Sequence, residues 1–229
     1  MRLLCFCLVA VTVTANPPRK MSLAFSDDFD GAVIDAKKWT QPAYVPAGTV
    51  ALKNGKLILG IAKDDKGAWK GGSVNTRGRF DQSQGYFEAS IRAGKFVGHH
   101  LGFVLTPREK KEIYSEIYVA EIFGEDRLVT WVRYNDGSSL KDEKPSPLPK
   151  PFTTPGGSSK DFHTYGVHWT AREYTWYVDG KEVFSTKKGL TQDPATLMLG
   201  HTVSEFELPK LDPSKLPDGV EFDWVKVWR

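Results

Sequence analysis

Cysteine is almost absent from this chain. Of 229 residues only Cys5 and Cys7 carry a thiol, and both fall in the first seven positions. That excludes a disulfide framework and thiol chemistry from everything downstream. Long hydrophobic runs are missing too, since the apolar stretch Leu3 to Val13 is too short to cross a bilayer. Nor is there a surplus of one charge. With 31 Lys and Arg against 28 Asp and Glu, the net charge is only +3, which argues against a dedicated nucleic-acid binder. Finally, no sustained helical period runs through the sequence, which disfavours a bundle or a coiled coil.

Aromatic residues are plentiful, 12% of the chain with seven tryptophans. Flat rings serve cores, and they also serve as platforms for the apolar faces of sugars. Arg2, the apolar stretch and the small pair Thr14-Ala15 before Asn16 have the pattern of a secretory signal peptide cut after Ala15. An uncleaved interfacial anchor is the alternative. The expected product is a secreted protein, extracellular or periplasmic, free of the membrane after cleavage and monomeric. It comprises a short linker at 16–24 and one domain at 25–229. Within that domain, short runs rich in β-branched and aromatic residues alternate with turn clusters. Asp179-Gly180 in YVDGKEVF is a hairpin signal. About ten strands with few helices predict an all-β fold, an antiparallel β-sandwich. The Pro-, Ser- and Lys-rich stretch 141–160 reads as a long surface loop within the domain.

The stretch YSEIYVAEIFG (114–124) raises the functional question. Glu116 and Glu121 stand five apart with Tyr118 between them, so a regular strand would send the two carboxylates to opposite faces. One face would then bury an unpaired carboxylate, which costs several kcal/mol. A β-bulge between Tyr118 and Glu121 would remove the conflict by turning Glu121 back to the face of Glu116. Two carboxylates on one face of a groove can hydrolyse a glycosidic bond. The alternative is that Glu121 is a rim residue paired with Arg127 or Lys110. Trp131, on the next strand, is either a sugar platform or core filler. Trp69, in the Gly-rich KGAWKGGS, is a candidate glycan contact at a cleft end, and His100, beside His99, is another. The two histidines do not make a metal site by themselves.

The stretch also resembles the E-x-D-x-x-E signature of glycoside hydrolase family 16, the laminarinase, agarase and carrageenase group. FSDDFDGAVIDAKKW (25–39), GGSVNTRGRFDQSQGYFEASIRA (71–93), DFHTYGVHWTAREYTWYVDGKEV (161–183) and VEFDWVKVW (220–228) resemble four further family segments in the same order. The resemblance implies a jelly roll of two curved sheets whose concave face is a glycan cleft. It also implies an endo-acting, retaining hydrolase of a β-linked polysaccharide substrate, either a β-1,3-glucan or a galactan such as agar or carrageenan, with no cofactor required. Glu116 matches the nucleophile and Glu121 the acid/base, while Tyr118 stands where the family has aspartate. By the same match Phe103 in GHHLGFVL takes the place of a platform tryptophan. His201 takes the place of an asparagine that reaches the cleft, Arg133 that of a histidine near the catalytic end, and Asp223 that of a ligand to a structural calcium. Tyr118 leaves two readings open: an active site tuned to a different sugar, or a non-hydrolytic carbohydrate-binding sandwich.

Overall fold

The computed structural model describes residue 17 and residues 20–109, 113–124, 127–137, 144–145 and 152–229. The leader expected at 1–15, Lys110 and part of the loop expected at 141–160 lie outside the described residues. In chain order the strands are β1 Leu23–Asp27, β2 Val50–Leu52, β3 Leu57–Leu59, β4 Ile61–Lys63, β5 Trp69–Gly71, β6 Ser73–Asn75, β7 Gly85–Arg92, β8 His100–Pro107 and β9 Tyr114–Phe123. They continue as β10 Arg127–Asn135, β11 Lys144–Pro145, β12 Phe152–Thr153, β13 His163–Trp169, β14 Tyr174–Val178, β15 Lys181–Thr186, β16 Ala195–Thr202 and β17 Val220–Trp228.

These strands form an antiparallel sandwich, as the alternation predicts. One sheet has the order β15-β14-β13-β7-β17-β3-β2, with β1 added on β17. The other has the order β11-β10-β9-β8-β16-β6, with β12 added on β10, and β4 and β5 make a separate ribbon. The period-two pattern gives each sheet one apolar face. Phe87, Ile91, Val167, Trp169 and Trp176 from the first sheet meet Leu105, Ile117, Leu128 and Leu197 from the second. Trp169 and Trp176 are fully buried in this core. At about 25 cal/mol per Å² of apolar surface removed from water, an interior of such large rings is the main source of stability in a chain without disulfides.

The expected hairpin is present. Asp179 and Gly180 link β14 to β15 with positive φ at both residues, 49° and 72°, the conformation a tight type I′ turn requires. The other face of the second sheet, turned away from the core, carries the candidate site.

Candidate active site

Strand β9 contains the extra residue that its two glutamates call for. Against β8, Phe103 pairs with Ala120 and Val104 with Tyr118. One step on β8 therefore spans two on β9. The slip recurs against β10, where Val129 pairs with Glu121 and Trp131 with Tyr118. The consequence appears in the burial of successive residues. Val119 and Ala120 both enter the core with Ile117 and Ile122, whereas Glu116, Tyr118 and Glu121 all lie half-buried on the opposite face. The indole of Trp176, on β14 in the facing sheet, donates Nε1–H to the carbonyl oxygen of Tyr118 at 2.9 Å.

The two carboxylates have different surroundings. Glu116 is held by cationic and phenolic donors. Arg133 donates Nε–H to Glu116 Oε2 at 2.9 Å and a second bond from Nη2 to the same oxygen, and Tyr118 adds a longer contact of 3.3 Å. Glu121 accepts from Trp131 Nε1–H at 3.0 Å. Burial pushes its carboxyl above the usual glutamate range, against the opposing pull of that hydrogen bond and of Arg127 and Arg133. His100 Nε2 lies 3.6 Å from Glu121 Oε1, too far for a hydrogen bond. Burial brings the His100 imidazole down to about 4, so at neutral pH it is uncharged and makes no ion pair with Glu121. Burial likewise raises the Tyr118 phenol, and the neighbouring Glu116 charge adds to the effect. Tyr118 therefore acts as a neutral donor and not as a substitute for a carboxylate.

The remaining candidates divide by strand register. Trp131 faces the site and is not core filler. Its ring stacks on Tyr118 with centroids 4.4 Å apart. Arg133 is in place beside Glu116, and His100 stacks on Phe123 at 4.7 Å next to Glu121. Trp69 is half-buried on the β4–β5 ribbon, with Lys63 Nζ 5.4 Å over its ring, away from the residues lining the hollow at Glu116. Arg127 makes its ion pair with Glu207, at 3.7 Å, and acts on Glu121 only from a longer distance, while the alternative rim partner Lys110 lies outside the described residues.

Three expectations need correction. Phe103 is wholly buried in the core. Alternation along β8 puts Gly102 and Val104, paired with Glu121 and Tyr118, on the site face instead. His201 is also interior. Its Nδ1 lies 2.9 Å from the carbonyl oxygen of Leu59, and its Nε2 lies 2.8 Å from Nδ1 of His99. With both ring nitrogens occupied and burial lowering its pKa, it contacts nothing in the cleft. Asp223 does not fit a calcium site. Its carboxylate is 3.2 Å from Lys56 Nζ, no cluster of three acidic, histidine or cysteine side chains positioned for a metal occurs among the described residues, and calcium takes six to eight oxygens.

Several site residues were missed by sequence reasoning. A hollow of about 560 Å³ opens beside Glu116 and Arg133, walled by Tyr44, Asn75, Arg77, Thr106 and Met198, a size suited to a small ligand. Tyr44 belongs to an irregular loop, so no period marked it. Asn75 and Met198 pair across β6 and β16, a neighbourhood fixed by topology. On the Glu121 side, Gly102 pairs directly with both Glu121 and Gly200, which leaves that part of the floor without side chains.

The family model "Glycosyl hydrolases family 16" matches residues 37–225. A β-glucanase of Acetivibrio thermocellus is 26% identical over 96% of this chain, which spans 64% of that protein's length. β-Porphyranase E of Zobellia galactanivorans is 26% identical over 90% of this chain and 86% of its own. The laminarinase catalytic domain from Thermotoga maritima superposes with a TM-score of 0.78 at 19% identity, covering 92% of this chain and 99% of that one.

Proposed function

The chain belongs to family 16 of the glycosyl hydrolases, and from that premise we propose that it is an exported, endo-acting, retaining glycosidase. The substrate would be a β-linked glucan or galactan, as the glucanase, porphyranase and laminarinase names of its relatives suggest. The observation that carries the reading is the slip in β9, which brings Glu116 and Glu121 onto one face in unlike environments.

In the first step a Glu116 oxygen attacks the anomeric carbon. Glu121 gives its proton to the departing glycosidic oxygen, so the C–O bond breaks as the glycosyl–Glu116 ester forms. In the second step Glu121, now ionised, removes a proton from water. The water oxygen then replaces Glu116 at the anomeric carbon, with net retention. The division of roles fits the surroundings. Arg133 donates to Glu116, and burial makes Glu121 easier to keep protonated. Trp131, Arg133 and His100 would contact the sugar, with Tyr44 in the wall of the hollow.

One observation favours a second reading, a glycan-binding sandwich without hydrolysis. The double contact from Arg133, with Tyr118 packed alongside, neutralises Glu116 and makes it a poorer nucleophile. Both readings are tested by incubating the wild type and Glu116→Ala with laminarin, lichenan, agarose, porphyran and carrageenans. The hydrolase reading expects new reducing ends from at least one substrate with the wild type alone. Background release by both proteins overturns it. Retarded migration of the wild type in gels containing the same polysaccharide would then support the binding module.

A further inference from the structure

The bulge in β9 is tied to the facing sheet through a backbone oxygen. At the slipped residue, the Tyr118 carbonyl oxygen accepts a hydrogen bond from an indole of the opposite sheet. That oxygen lies behind the catalytic face, among apolar residues such as Val119 and Ala120, both buried. A carbonyl buried there without a donor is costly. Trp176 is itself wholly buried, braced by Phe184 at 5.3 Å and Tyr174 at 5.9 Å between ring centroids. It also stands where β14 slips against β15: Trp176 pairs with Phe184 and Tyr177 with Glu182, leaving Val183 over. The indole is therefore rigid, and its one donor is spent on the bulge.

We propose that Trp176 is a positioning residue for hydrolysis, whose N–H, delivered across the hydrophobic core, holds the bulge that turns Glu121 toward Glu116. The proposal rests on the assignment of these two glutamates made above. Without the donor, the bulged strand loses its bond across the core and a straight strand becomes more competitive. A straight strand also turns Glu121 out of the cleft. The side chain touches neither substrate nor either glutamate. Its effect should therefore fall on kcat and on the ionisation of Glu121, and not on KM.

The decisive variant replaces one atom. Benzothienylalanine, introduced at position 176 by stop-codon suppression, keeps the ring shape and exchanges N–H for sulfur. Trp176→Phe serves as a second variant. Trp169→Phe is the control, because its indole is equally deep but donates to the carbonyl of Thr191. For the position 176 variants, kcat should fall about 10- to 100-fold, the size expected for one orphaned buried acceptor, with KM changed less than about threefold. The Glu121 carboxyl, followed by 13C NMR in the same proteins, should titrate closer to an ordinary glutamate. Trp169→Phe should lower the melting temperature without moving either readout. Unchanged kcat and Glu121 titration in the benzothienylalanine protein overturn the proposal. So does an equal loss of kcat in Trp169→Phe, which would mean generic core damage. Should the wild type cleave no glycan, the hydrolase reading fails alone. The NMR titration still decides whether Trp176 sets the environment of Glu121.

Discussion

The two ends of the cleft handle a carboxylate in opposite ways. At the Glu116 end a guanidinium and a phenol surround the acid, and a hollow opens beside it. At the Glu121 end the acid has one indole donor, a neutral imidazole beyond bonding distance and a floor that includes two glycines. The first setting supplies an opposite charge and hydrogen-bond donors. The second raises the cost of ionisation through loss of water. Tyr118 supplies no charge between the two glutamates, and burial pushes the Glu121 carboxyl up.

That contrast can be broken or sharpened in three steps. Exchanging residues 120 and 121, Ala120→Glu with Glu121→Ala, should have the largest effect. The slip then carries the carboxyl to the core side, where Ala120 packs in the wild type, and cleavage should drop to background. Burying that carboxyl should cost about 3 kcal/mol or more, or roughly 6–12 °C of melting temperature in a domain this size. Glu121→Ala alone should spare the melting temperature but not the activity. An exchanged variant that still cleaves would mean that the face set by the slip is not what orients the acid.

Next, Arg133→Met removes two charge-assisted contacts from Glu116, whereas Tyr118→Phe removes only the 3.3 Å contact. Steady-state kinetics should show a loss of about 10- to 100-fold in kcat/KM for the first, from about 1.5–3 kcal/mol of lost hydrogen bonding. The second should cost less than about threefold. The reverse order would make the phenol, and not the guanidinium, the group that sets Glu116.

The smallest effect concerns stability. The Glu121 carboxyl is raised in the folded protein. Its contribution is therefore most favourable below the unfolded glutamate value, near 4.3, and is lost as pH rises through the folded value. Glu121→Gln should raise the melting temperature at pH 7 by a few degrees and change little at pH 4. His100 has the opposite sign. Its imidazole is lowered to about 4, so its contribution is present above pH 6.5 and is lost as pH falls through the folded value. Scanning calorimetry of Glu121→Gln at the two pH values checks the prediction. An equal gain at both would place the carboxyl in ordinary solvent.

The odd spacing of Glu116 and Glu121 was enough to require a bulge, because two-residue periodicity and the cost of a buried carboxylate leave few other solutions. Alternating apolar residues and the Asp179-Gly180 turn likewise specified an antiparallel sandwich, since both rules are local. Register was not legible. Motif likeness put Phe103 in the cleft, but the pairing of β8 with β9 turned it inward and gave the site Gly102 and Val104. His201 went the same way, because Leu59 and His99, 142 and 102 residues away in sequence, satisfied its ring from within. The link from Trp176 to the Tyr118 carbonyl joins residues 58 apart on different sheets. Local periodicity determined which residues alternate and where the alternation must break. Only the packing of one sheet on the other decided which face each residue took and what holds the break in place, because that depends on partners brought together across the core.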